Sequence, residues 1–338
     1  MMYQQTVNFW FQSLQYVGLN PEKQKKWVFT VMVAGGTILY ALTFAEFFFS
    51  PDPNYIHTVE SIVIFCHMMS KTGAIFYFSK ELQQLHKDLE HFWSFESDEH
   101  IIMITIVPLV TSRSLQMYVY VPEALGTNFV WLLESLIIPL ITVSVFAFDY
   151  LIFTFLQLTI VQFQLSNSSI RKLNFGEHQD NGELRTQLVK LVKHHIFMLK
   201  FTKRLQRIMS LPLLVQLFNT VSAFCIEMYL MRYNVDLGQG IIGSLHSLVV
   251  FVQICYFYCT PCQDVMDQGL EIAIQVYSIN WYELEDNSLK MLLKMIIMRG
   301  SEPIDFSAAG FVQINLAALV MVFKTSLSFY SFLVAIDT

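Results

Sequence analysis

Cys255, Cys259 and Cys262 recur at i, i+4 and i+7, a spacing that sets three thiols on one face of an α-helix. Zinc would need a fourth ligand and polar groups around the set, and neither stands nearby. The thiols therefore read as small buried hydrophobes. His194 and His195 are adjacent, so on a helix they point about 100° apart and cannot face one ion together. No His-Glu-x-x-His spacing accompanies them. The chain has no glycine-rich phosphate loop, no nominable Ser-His-Asp set and no clustered carboxylate pair. No enzymatic activity, metal or cofactor is expected. No basic groove with interleaved aromatics points to nucleic acid.

The residues that stand out are polar groups inside apolar runs. Glu46, Asp149 and Glu227 fall near the ends of such runs, where a carboxylate reaches the interface at modest cost. Lys71 lies within a run. Lys324 lies close to the middle of the last one, followed by Thr325, Ser326 and Ser328. A lysine at mid-bilayer costs about 2.5–3.5 kcal/mol on insertion scales, so it should face water or a partner. The polar stripe it begins suggests a water-filled path; snorkelling or pairing to another helix is the alternative.

These runs define the elements. The chain has 338 residues, 54% apolar and only 14% charged, with 30 Phe. Soluble domains carry about 25% charged residues. Seven spans are predicted, at about 27–49, 56–79, 101–121, 131–156, 209–231, 241–262 and 308–336, each near the ~20 residues that cross a bilayer. The third is weak, because its clean apolar stretch, 101–110, is short and Arg113 follows. Lys23, Lys25 and Lys26 precede the first span, Lys80 and Lys87 follow the second, and Lys290, Lys294 and Arg299 follow the sixth. Nine of the 21 Lys and Arg lie between Arg171 and Arg207, after the fourth. Basic loops face the cytoplasm, which puts the N-terminus inside and the C-terminus outside, provided the third span crosses. The fold expected is an all-α, polytopic, seven-helix membrane protein forming a single transmembrane domain. A cytoplasmic helical anchor is expected from about 157–208 and 263–305. Apolar residues at helical spacing carry 183–208, and Ser288 reads as the N-cap of an apolar helix over 288–299. No signal-type apolar core precedes the first span, and the five cysteines form no disulfide framework.

The C-terminal third then resembles a known family. Ala273, Tyr277 and Trp281, then Lys290 and Leu293, Pro303, Asn315-Leu316, Lys324-Thr325-Ser326, Ser328-Phe329 and Leu333 follow the order of the closing signature of insect odorant receptors. Gln216-Leu217-Phe218, Ser222 and Cys225 resemble their fifth span, and Asp149, Phe153 and Gln162-Phe163 the end of their fourth. The resemblance covers about 130–336 well. It implies an odour-tuning subunit of a ligand-gated, non-selective cation channel, a heterotetramer with the odorant receptor co-receptor in the plasma membrane of a sensory-neuron dendrite. The seventh span would line the pore. A small volatile organic ligand would bind an outer-half pocket among spans 2 to 6. There Ser61, Phe65, Ser135, Pro139, Thr142, Phe218, Ser222 and His246 are the candidates, in a mostly apolar lining. Lys324 and Ser328 would face the pore, and Phe332 and Ala335 fall at the gate. The family's co-receptor has a small aliphatic and then a polar residue at those two positions, so this chain departs at both. The gustatory receptor channels of the same superfamily and a non-channel seven-helix receptor are the alternatives. The gustatory closing motif is absent here. A G-protein-coupled receptor would need the opposite orientation. A transporter would need paired intramembrane acids or matched broken helices.

Overall fold

Apolar runs without charge form helices in lipid because only a helix satisfies its own backbone there. The computed structural model describes residues 2–49, 55–93, 127–173, 181–232, 237–284 and 286–336. Its elements are α1 (Met2–Tyr16), α2 (Lys26–Phe49), α3 (Tyr55–Tyr77), α4 (Ser79–Asp88), α5 (Thr127–Arg171), α6 (Asn181–Arg232) and α7 (Leu237–Ile254). A π-helical turn (Cys255–Cys259), α8 (Thr260–Ser278), α9 (Asn287–Gly300), strands β1 (Ser307–Ala308) and β2 (Val312–Gln313), and α10 (Leu316–Ile336) complete the order. Among the described residues, six helices are long and apolar enough to cross a membrane. The predicted third span, 101–121, lies outside the described residues.

Two helices far exceed a bilayer. The 45 residues of α5 and the 52 of α6 reach about 68 and 78 Å at the α-helical rise, against about 30 Å of hydrocarbon. Each must continue beyond it, as the apolar pattern past residue 156 and the basic-apolar pattern before 209 predict. Pro212 marks the change of character in α6. It lacks the N–H that would bond the Ile208 carbonyl, between the basic half of the helix and the apolar half.

The C-terminal half of α5 and the N-terminal half of α6 share one core. Phe92, Phe197 and Phe201 pack together, with Phe92 edge to face on both others, and Phe201 meets Phe155 of α5 at 5.9 Å. Gln162 clamps Trp93 at both ends of its backbone, accepting from its N–H at 2.8 Å and donating to its carbonyl at 3.0 Å. Asn167 is buried and donates to Gln268 of α8. Helix α9 packs on α8 so closely that a Cβ at Gly300 would lie 3.2 Å from Ala273 Cβ and 3.3 Å from its backbone nitrogen.

The cap of α9 corrects the sequence reading. Asp286, not Ser288, is the N-cap, and its carboxylate accepts from the Ser288 N–H at 2.7 Å. Hydrogen bonding from the Ser288 side chain, and then from its N–H, holds the Asp286 carboxyl below the usual carboxylate range. An Asp two residues before the apolar pattern competes with Ser for the cap, and periodicity does not separate them. The fold is also not purely helical. β1 and β2 pair antiparallel, Ser307 with Gln313 and Ala308 with Val312, around a turn in which Ala309 and Gly310 both have positive φ. Asn315 then starts α10, its side chain accepting from the Ala318 N–H at 3.0 Å.

Candidate functional site

Helix α3 carries Lys71 and α5 carries Asp149. Lys71 Nζ lies 2.6 Å from Asp149 Oδ1, with 0% and 2% of their side chains exposed. The contact is an ion pair rather than a well-aligned hydrogen bond. Asp149 Oδ2 accepts from Gln253 Nε2 of α7 at 2.5 Å, and Oδ1 from the Tyr258 hydroxyl. Lys71 also sits over the Tyr258 ring, 5.5 Å from its centroid. Gln216 of α6 donates to Gln253 Oε1 at 3.4 Å. One polar cluster thus ties α3, α5, α6 and α7 together.

The π-helical turn is part of this arrangement. Its extra residue rotates the later positions relative to an unbroken α-helix, and Tyr258 in that turn reaches Asp149. Cys255 and Cys259 bound this turn, and Cys262 follows it in α8. Cys259 lies within electrostatic reach of both Cys255 and Cys262. All are free thiols, and Cys259 and Cys262 are buried. Asp149, expected at a span end within reach of the interface, is instead buried against Lys71.

Sequence reasoning misses this pairing, although the spacing contains a signal. Lys71 is about eight residues from the end of its predicted span and Asp149 about seven from the end of its own. The predicted topology runs both spans in the same direction, which would set the two charges at one depth. An ionised pair in a low-dielectric interior persists only when each member is matched and hydrogen-bonded, and Asp149 has those partners. His67, one turn before Lys71, is buried beside the Gln216 side chain of α6, which extends the cluster by one more polar contact.

The eight pocket candidates are distributed unevenly. Phe65 is buried and stacks on Tyr40 of α2 at 5.4 Å. Ser61, one turn away, is half-buried, as are Thr142 and Ser222. The Thr142 hydroxyl donates to the Ile138 carbonyl at 2.8 Å. Ser135 and Pro139 are exposed on α5. Phe218 is 63% exposed on α6, because Gln216, Leu217 and Thr220 take the inward positions there. His246 belongs to α7, and its side chain lies outside the described residues.

On α10 the faces divide cleanly. Ala318, Val322 and Ser326 are buried, and the Ser326 hydroxyl lies 3.4 Å from the Val221 carbonyl of α6. Lys324, Ser328, Phe332 and Ala335 are all exposed, Phe332 at 61%. His194 and His195 diverge as adjacent helical residues must. His194 stacks on Trp93 at 4.0 Å, while His195 faces Arg299 of α9.

A sequence profile of the 7tm Odorant receptor family matches residues 100–327, more than half of the chain. The chain belongs to the odorant receptor family. Its similarity to individual odorant receptors is low. It is 24% identical to Odorant receptor 10 of Aedes albopictus over 183 residues, covering 54% of this chain and 47% of that protein. It is 19% identical to Odorant receptor 30a of Drosophila melanogaster over 203 residues, covering 60% and 52%. The chain spans about half the length of these relatives. The fold is similar throughout to the insect olfactory receptor OR5 from Machilis hrabei. Its structure in complex with eugenol superposes with a TM-score of 0.78 at 14% identity, over 98% of this chain and 97% of the other. The structure of OR5 described without eugenol gives 0.74, over 91% and 88%. The chain is thus a multi-pass member of the odorant receptor family, with several helices long and apolar enough to span a membrane.

Proposed function

We infer that this chain is an odour-tuning subunit of a heterotetrameric, ligand-gated, non-selective cation channel. A volatile ligand opens a pore lined by α10, and the odorant receptor co-receptor supplies the other subunits. The chain crosses the plasma membrane of a sensory neuron seven times, with the basic segments in the cytoplasm. The single observation that carries this reading is the outward face of α10. Lys324 stands in the middle of a span, exposed on a single chain, with Ser328 one turn on. Facing lipid, that lysine would cost about 2.5–3.5 kcal/mol, so an assembly that turns the face toward water is favoured. Phe332 and Ala335 continue the same face to the position of the gate. Two departures from the family pattern there are consistent with a subunit that depends on its co-receptor for conduction.

The ligand pocket lies in the outer half of the bundle. Ser61, Phe65, Thr142, Ser222 and His246 contribute to it, with Ser135, Pro139 and Phe218 toward its rim. The OR5 complex with eugenol supports a small organic ligand for this fold. The Lys71–Asp149 cluster closes the bundle on the cytoplasmic side of that pocket. Recording from cells that express the chain with and without the co-receptor, over an odorant panel, tests the reading. An odorant-evoked cation current is expected with the co-receptor only. A chain that reaches the surface with the co-receptor and conducts under no odorant contradicts it.

A further inference from the structure

On α6, just before the apolar half begins, Lys203, Gln206, Arg207, Ser210 and Leu211 fall at i, i+3, i+4, i+7 and i+8, which makes them one continuous helix face. They line an open cleft of about 400 Å³. Lys203 and Arg207 are one turn apart and exposed. Among the described residues neither has a carboxylate partner, although Arg204 between them pairs with Asp88, and Arg171 with Glu271 at 3.3 Å. The floor is polar and fixed. Gln206 Nε2 donates to the Ser307 carbonyl at 2.7 Å, and Ser210 Oγ accepts from the Ala309 N–H at 3.0 Å. These two bonds pin the β1–β2 hairpin against the cleft. They also orient the Gln206 amide so that its Oε1 is buried without a partner. Leu211, 59% exposed, forms the lip toward the apolar half.

We propose that this cleft binds the headgroup of a phosphorylated polyol lipid in the leaflet that faces the basic segments. The chemistry of the three features is specific. Two unpaired cations at helical neighbours take a phosphate. The Gln206 carbonyl oxygen, sealed beneath the cleft and lacking a donor, gains one when a headgroup hydroxyl enters, which an inositol or glycerol headgroup has and a choline headgroup lacks. An exposed leucine above them meets an acyl chain. The depth fits as well. Arg207 lies about 3 Å and Lys203 about 9 Å along the helix from the predicted start of the span at 209, within reach of the headgroup layer. Basic pockets at the cytoplasmic ends of membrane helices are suited to such headgroups. The proposal rests on the inferred orientation, with the basic segments in the cytoplasm, but not on conduction, so its test uses binding alone.

The full chain, purified with its co-receptor, is placed in nanodiscs of phosphatidylcholine containing a fluorescent phosphatidylinositol phosphate or a fluorescent phosphatidylserine. Wild type should retain the phosphoinositide in clear preference to the serine lipid. The double variant Lys203→Gln/Arg207→Gln should lose roughly thirtyfold in retention, the factor two basic residues contribute at an anionic surface. Gln206→Met should keep binding and lose the preference for the polyol. A soluble inositol phosphate added as competitor separates the sources. Displacement only at concentrations far above the lipid's own supports a membrane ligand, and equal potency indicates a free phosphate and overturns the lipid assignment. Both exposed charges leave the core intact, so surface expression of the double variant serves as the folding control. Unchanged retention in the double variant overturns the proposal. So does loss of co-assembly with unchanged retention, because the face would then be a subunit contact.

Discussion

Lys71 and Asp149 lie 2.6 Å apart inside the bundle, on two neighbouring helices, and both side chains are buried. Removing either member leaves the other charged, buried and unpaired, which typically costs about 3–5 kcal/mol. Lys71→Met and Asp149→Asn should each lower the surface expression and thermal stability of the receptor sharply. The double variant Lys71→Met/Asp149→Asn should recover much of both. A fluorescence thermal-shift cycle over the four proteins measures the coupling. Additive losses would mean that the pair is not the unit that holds these helices.

Tyr258 contributes one donor to the same carboxylate from the π-helical turn. Tyr258→Phe keeps the ring over Lys71 and removes only the hydroxyl. A hydrogen bond to a charged group is worth about 1.5–3 kcal/mol. The variant should melt below wild type, by less than Asp149→Asn does. If the phenylalanine variant melts with wild type, the hydroxyl bond contributes nothing.

Gly300 allows α9 to approach the Ala273 backbone, and a Cβ there already sits at 3.2 Å. Gly300→Val overpacks this contact and should destabilise the anchor by about 1–3 kcal/mol. Reduced recovery of receptor–co-receptor complex in a pull-down is expected, with the membrane spans still inserted. Recovery equal to wild type would remove the close approach as a constraint.

Lys324 carries a charge on the exposed face of α10. Lys324→Met should change single-channel conductance or surface assembly of the receptor with its co-receptor. If neither moves, the residue only snorkels to the interface.

Much of this architecture is written in composition and charge. The apolar runs mark six of the helices that the structure describes, and the run past residue 156 implies that α5 outlasts the bilayer. The polar run that begins at Lys324 divides between faces: Lys324 and Ser328 are exposed, while Ser326 turns into the bundle against Val221, as helical spacing requires of residues two apart. The Lys71–Asp149 pair is harder to see. It depends on matching depth across two spans far apart in sequence, and periodicity within one helix carries no such information. The π-helical turn is hidden for a different reason. A single extra residue leaves the hydrophobic pattern intact while rotating every later position, and it is from this turn that Tyr258 reaches Asp149. Asp286 takes the cap from Ser288 because both residue types cap well and only the geometry separates them.

If α10 walls the pore of an odorant-gated assembly, its two faces must differ in their access to water. Cysteine substitutions at Ser328 and Ala335, on the exposed face, and at Val322, on the buried face, can be compared during odorant-evoked current with the co-receptor present. A charged, membrane-impermeant thiol reagent should block current through Ser328→Cys and Ala335→Cys, faster with odorant than without, and leave Val322→Cys untouched. Equal modification of all three, or none at either exposed position in a conducting receptor, would contradict the assignment of this helix to the pore.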